Sequence, residues 1–205
     1  ETDPEVISYL EAENKYLESW FKSKNDCRKE IYDELVSYIP PHEVSMKVKH
    51  GDYFYFSEIS SDQQYKTYYR EISENKELVL DVNELAKNLD YFNVASITPS
   101  PNNHYIAYAE DLSGRREYNI KIKNLETGHI IDESIQRSSG SVVWNKNNDT
   151  IYYALKDPVT LIENKVFKHK VGTDTKEDIL IYKEKDTEFH LHIFESRTKK
   201  YLNIY

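Results

Sequence analysis

The chain has 205 residues, enough for one large or two small domains with a real core. Its formal charge of −9, from 36 acidic and 27 basic residues with the basic ones scattered, argues against a phosphate-binding surface. One cysteine, Cys27, rules out an internal disulfide and offers no zinc site, and no apolar run approaches the roughly 18 residues of a membrane span. Neither nucleic acid nor a membrane is therefore expected as a partner.

Asp3-Pro4 predicts a helix start, an N-cap acceptor followed by proline at the first helical position. Val6, Tyr9, Leu10, Leu17, Trp20 and Phe21 then recur at helical spacing, with Glu11, Glu13, Asn14 and Lys15 across from them. A second helix is predicted from about Arg28 to Ile39, with Ile31, Tyr32, Leu35, Val36 and Ile39 on one stripe and Pro40-Pro41 as its stop. Both apolar stripes need a partner.

After Pro41 the pattern changes from helical to alternating. Tyr53–Phe56 follows a turn at His50-Gly51-Asp52, and further strands are predicted at Tyr65–Ile72 and Glu77–Leu80, with one or two helical turns within Asn83–Leu89. The 18 tyrosines suit half-buried strands, ring packed and hydroxyl wet. Ser113-Gly114 and Glu126-Thr127-Gly128 are predicted turns on either side of a strand in which Ile120 and Ile122 face a dry side and Lys121 and Lys123 a wet one. Ile179–Tyr182 is apolar on both faces, as a strand sandwiched between neighbours would be, and more strands are expected at Phe189–Ile193 and Tyr201–Tyr205.

A repeat organises this half. Pro101–Ala109 (PNNHYIAYA) reappears 45 residues later as Lys146–Ala154 (KNNDTIYYA), with Asn-Asn, Ile, Tyr and Ala in step. A period of about 40 to 50 residues built from short strands is what a β-propeller blade looks like in sequence. The expected fold is mainly β: a helical segment over residues 1–40, then a partial propeller over 41–205. Its blades fall at roughly 44–82, 94–135 and 139–182, with the start of another from 189. A small open stack of sheets is the alternative.

The glycines exclude several chemistries. Gly51, Gly114, Gly128, Gly140 and Gly172 are spaced too widely for a G-x-S-x-G nucleophile elbow, a Walker A loop or a dinucleotide fingerprint. His190 and His192, two apart on a predicted strand, have a spacing metals use, with Glu188 or Glu195 as a third ligand. The apolar row Phe189, Leu191 and Ile193 explains that spacing more simply. His42 and His50 sit beside turns and are expected to be solvated. Ser138–Ser141 has no following helix to supply amides, so it reads as the turn before an inner strand. Arg115-Arg116 is a hairpin tip, and Cys27 a lone thiol near a helix start. No catalytic, cofactor-binding or metal-binding residue is assigned, and no cofactor is expected.

Asp3–Asn14 (DPEVISYLEAEN) resembles the opening helix of the oligopeptidase B branch of the prolyl oligopeptidase family. Leu80–Ala86, Ser113–Arg116, Ser139–Trp144, Tyr152–Pro158, His169–Thr173, Glu177–Tyr182 and Glu188-Phe189 follow in that branch's order, so the likeness covers almost the whole chain. The resemblance implies a two-part serine peptidase, a seven-bladed propeller over an α/β-hydrolase domain with a Ser-Asp-His triad. That enzyme hydrolyses short peptides after Arg or Lys, the propeller restricts entry, and the N-terminal helices belong with the catalytic half. Residues 44–72 depart most from the pattern, and no triad residue falls within the chain.

The expectation is therefore an N-terminal piece of such a peptidase, cytoplasmic, acting as scaffold and gate and inactive alone. Its partners would be the α/β-hydrolase domain of the parent chain and, for the parent, short basic peptides. The alternative is a stand-alone propeller-type protein-interaction module whose open edges offer a route to self-association. Two surfaces are expected to lack partners in this chain: the Val6–Phe21 stripe and the edge at Phe189–Tyr205.

Overall fold

The computed structural model describes residues 2–205. It separates into two compact units, one running to Glu43 with Ser60–Asp62, the other comprising Val44–Ile59 and Gln63–Tyr205.

The first unit is helical. Asp3 caps α1 (Pro4–Phe21): its carboxylate accepts the Glu5 N–H at 2.9 Å, satisfying a donor that has no partner inside the helix. A 3-10 turn at Lys22–Lys24 leads into α2 (Asn25–Ser37), which starts three residues before the expected Arg28 and ends ahead of Pro40-Pro41. No residue of either helix is buried, and Val6, Leu10, Leu17 and Trp20 are all half exposed or more. β1 (His42–Val44), short and exposed, follows.

The second unit is built of antiparallel ladders. β2 (Val48–His50), β3 (Tyr53–Ser60), β4 (Thr67–Ile72) and β5 (Asn75–Asp81) pair in sequence. A single helical turn, α3 (Val82–Leu85), follows, capped by the Asp81 carboxylate on the amides of Asn83 and Glu84. Then come β6 (Asn93–Pro99), β7 (Tyr105–Asp111), β8 (Tyr118–Asn124), β9 (Ile130–Trp144), β10 (Thr150–Lys156), β11 (Glu163–Lys170) and β12 (Ile179–Lys183), hydrogen-bonded in order in one seven-stranded sheet. β13 (Ile193–Glu195) and β14 (Leu202–Ile204) form a separate pair. This is a partial β-propeller preceded by two helices, mainly β as expected.

The two repeats share a strand. The first half of β9 pairs with β8, at Ile122↔Asp132 and Ile120↔Ile135, while its second half pairs with β10, at Tyr153↔Val142 and Ile151↔Trp144. Ser138–Ser141, expected as a turn, therefore lies inside a continuous strand. Gly140 allows this: its φ is +92°, and a Cβ there would stand 3.0 Å from the Tyr118 ring and 3.1 Å from Ala95.

The repeated Asn-Asn is the inner hairpin turn. Asn103 and Asn148 occupy the left-handed region (φ 60° and 63°), donating their N–H groups to Ser100 and Asn145. The same turn appears a third time at Ser196–Tyr201, with Lys199 at φ 56° and its N–H on the Ser196 carbonyl.

β7 is dry on both faces. Ile106 and Tyr108 enter a core with Val79, Leu80, Val82 and Phe92, while Ala107 and Ala109 face one with Ile120, Ile122, Ile151 and Tyr153. A smaller cluster joins Val143, Ala154 and Val166 to Leu191 and Ile193.

Four further expectations need correction. Ile179–Tyr182 is not sandwiched; as β12 it is an edge strand paired on one side only, 41–57% exposed. Phe189–His192 is not strand, and Phe189 is exposed although Leu191 and Ile193 are buried. The wet face of β8 is half-buried: Lys123 donates to the Val79 carbonyl at 3.0 Å, and Lys121 pairs at 2.8 Å with the buried Glu110. His50 is half-buried, not solvated, with Nδ1 3.0 Å from the Asn103 amide oxygen.

Candidate functional site

The residues singled out for chemistry are not brought together. His192 Nδ1 lies 3.1 Å from a Glu163 carboxylate oxygen, and His190 is exposed. Among the described residues no group of three or more His, Cys, Asp or Glu side chains is arranged to hold a metal ion. Cys27 is an exposed free thiol. Arg115 and Arg116 sit on a tip fastened from below by Asp111, whose carboxylate accepts the amides of Ser113, Gly114 and Arg116 at 2.7–3.0 Å. Burial pushes the Asp111 carboxyl up, but these donors outweigh it and hold it below the usual carboxylate range.

Two features of the second unit stand out, one an open cleft and the other buried. The first is an open inner cleft of about 360 Å³, where β6, the second half of β9 and β13 converge. Ser96, Thr98, Ser141, Trp144, Phe194 and Glu195 line it. The Trp144 indole N–H donates to the Thr98 carbonyl at 3.0 Å and the Ser96 hydroxyl bonds the Gly140 carbonyl, so neighbouring inner strands are held in register by their own lining. The cleft offers hydroxyls, an aromatic wall, the Glu195 carboxylate, the Lys199 ammonium and the His50 imidazole. That set can contact a passing polar chain; it holds no activated nucleophile.

The second feature is a buried charge cluster. His169, 0% exposed on β11, has Nε2 2.7 Å from the Asp132 carboxylate and Nδ1 2.6 Å from the Asp178 carboxylate. Tyr153 donates its hydroxyl to Asp178 at 2.8 Å, and Gly172 N–H and the Ser134 N–H and hydroxyl donate to Asp132. Burial disfavours a charged ring, but the two carboxylates outweigh it and raise the His169 pKa above the ordinary histidine range. Asp132, pushed up by burial, is held well below its usual value by His169 and the surrounding donors. With both nitrogens occupied and no access to solvent, the ring has a structural role and cannot exchange protons with a substrate. His169 was readable only as part of a family motif. The available signal was its parity with Phe167, which packs against the core and so turns the residue two places on inward.

Short antiparallel units repeated side by side, sharing inner hairpin turns and leaving an inner cleft, define a β-propeller module. The chain belongs to the family described as "Prolyl oligopeptidase, N-terminal beta-propeller domain", whose model matches residues 1–205. It is 33% identical over 215 residues to Protease 2 of Moraxella lacunata and 30% identical over 218 residues to dipeptidyl aminopeptidase BI of Pseudoxanthomonas mexicana. Each alignment covers 98% of this chain and 30% of the relative, so the chain spans about a third of the length of the curated relatives it matches. Among solved structures, oligopeptidase B from Leishmania major superposes with a TM-score of 0.92 at 27% identity, covering 99% of this chain and 29% of that one. Oligopeptidase B from Trypanosoma brucei, with covalently bound antipain in its closed form, gives 0.87 at 28% identity, with 99% and 29% covered. Among the described residues no helix is long and apolar enough to cross a membrane.

Proposed function

We propose that this chain is the propeller portion of an oligopeptidase B-type serine peptidase, a scaffold and substrate gate whose partner is the α/β-hydrolase domain of the same enzyme. On this reading residues 1–40 form the helical segment that docks on the hydrolase domain and 41–205 form the propeller wall. The whole enzyme cleaves short peptides after Arg or Lys in the cytoplasm. The observation that carries the proposal is the likeness over the whole chain to two oligopeptidase B structures, with its helices included. The exposed stripe of α1 supports it. Val6, Leu10, Leu17 and Trp20 repeat at helical spacing and are each half exposed or more, and burial at about 1.5–3 kcal/mol per large apolar side chain gives such a stripe a strong tendency to be covered.

The test uses the enzyme that carries this propeller together with its hydrolase domain. A short arginine-containing peptide and a long unfolded chain with the same cleavage sequence are offered in parallel. The gate predicts rapid cleavage of the short peptide and little of the long one. Equal cleavage of both contradicts gating, while cleavage confined to free N-terminal dipeptides, irrespective of Arg or Lys, contradicts the specificity and favours an activity like that named for the Pseudoxanthomonas relative.

A further inference from the structure

We propose that His169 is a proton-operated latch between the two repeats, closed while both ring nitrogens carry protons and loosened when one is lost as pH rises. The geometry sets this up. Asp132 lies in the half of β9 that pairs with β8 in the first repeat, whereas His169 lies on β11 of the second, paired with β10 at Ile151. Asp178 reaches the ring from the turn before β12, and Tyr153 reaches Asp178 from β10. These are the titratable groups facing the ring from the elements packed around it; Lys168 and Lys170 flank it on its own strand.

A neutral imidazole has one N–H and one lone pair, whereas the charged ring has two N–H donors. Carboxylate oxygens stand at 2.6 Å and 2.7 Å from the two nitrogens, so only the charged ring satisfies both. Once the ring is neutral, one lone pair faces an ionised oxygen across a hydrogen-bond distance in a site closed to water. The donors around Asp132 keep that carboxylate ionised, so it cannot take up the proton instead. The cluster holds two negative charges against one positive, and losing the positive charge converts the joint from attractive to repulsive.

The direction with pH follows from linkage. The folded pKa of His169 is raised, so its contribution is complete below the unfolded value of about 6.5 and is lost as pH rises through the folded pKa. Between those two values opening of the joint grows about tenfold per pH unit, then levels off.

The full chain, labelled with nitrogen-15 at histidine, provides the test. At about pH 6.5, the ordinary histidine value, most His169 rings should show both nitrogens protonated, and amide exchange in β9 and β11, corrected for its intrinsic pH dependence, should accelerate as that signal titrates at higher pH. A ring mainly in a neutral tautomer at about pH 6.5, or a titrating ring with unchanged exchange, overturns the proposal. His169→Gln should remove the pH dependence of opening; retention of the wild-type profile overturns it too. Should that variant not fold, Asp178→Asn serves, because losing one of the two charges must move the His169 titration to lower pH, and an unmoved midpoint counts against the latch.

Discussion

Asn103 connects sheets as well as turning the chain, and its replacement gives the sharpest stability test. Its amide oxygen accepts the Tyr55 hydroxyl at 2.9 Å and lies 3.0 Å from His50 Nδ1, while its carbonyl receives the buried Arg70 guanidinium. Asn103→Ala removes two side-chain hydrogen bonds, about 0.5–1.5 kcal/mol each. It also places a Cβ-bearing residue without a polar side chain at φ 60°, a further cost of about 1–2 kcal/mol. The expected loss is about 2–5 kcal/mol. Asn103→Gly loses the bonds without the left-handed penalty, though with about 0.5–1 kcal/mol of added chain entropy, and should fall below alanine in cost. Urea unfolding in a Trp20→Phe background, where the buried Trp144 alone reports, measures both. An Asn103→Ala variant within about 0.5 kcal/mol of the parent would refute the reasoning, as would glycine costing more than alanine.

Other outcomes follow from the same contacts. Gly140→Val combines a positive φ with a Cβ at 3.0 Å from Tyr118 and should destabilise by more than about 2 kcal/mol in the same unfolding assay. Asp111→Asn leaves three turn amides with a poorer acceptor, so exchange of the Ser113, Gly114 and Arg116 amides should quicken with little global effect. Asp132 has a depressed folded pKa, so its contribution exists above the unfolded value of about 3.9 and is lost as pH falls through the folded one; Asp132→Asn should flatten the acid limb of a stability–pH curve. Leu10→Glu with Trp20→Ser, on the exposed α1 stripe, should change the stability of this chain by less than about 0.5 kcal/mol while abolishing any association with a separately supplied hydrolase domain, measured by sedimentation.

The elements legible in the sequence were those governed by local rules. Asp3-Pro4 announces α1 because capping and a fixed proline φ act within one turn, whereas the repeat marks Asn102-Asn103 and Asn147-Asn148 as equivalent and only the structure makes them hairpin turns, with Asn103 and Asn148 in the left-handed region that asparagine tolerates. The third hairpin was hidden, since Lys199 occupies the same conformation with no compositional mark. Ser138–Ser141 looked like a turn because Gly140 is a turn residue, yet here the glycine admits the Tyr118 ring beside an unbroken strand. The inner cleft depends on three strands far apart in sequence. The His169 cluster draws on positions 132, 153, 169 and 178, and no local pattern links a histidine to one carboxylate on another strand and a second in a later turn.

The most direct test of the proposed role is hydrolysis of an arginine ester by the purified 205-residue chain, with and without a serine-reactive inhibitor. A propeller that gates a separate catalytic domain predicts no turnover above background in either case. Robust hydrolysis abolished by the inhibitor would contradict the account, because it would place a working nucleophile within residues to which no catalytic role has been assigned.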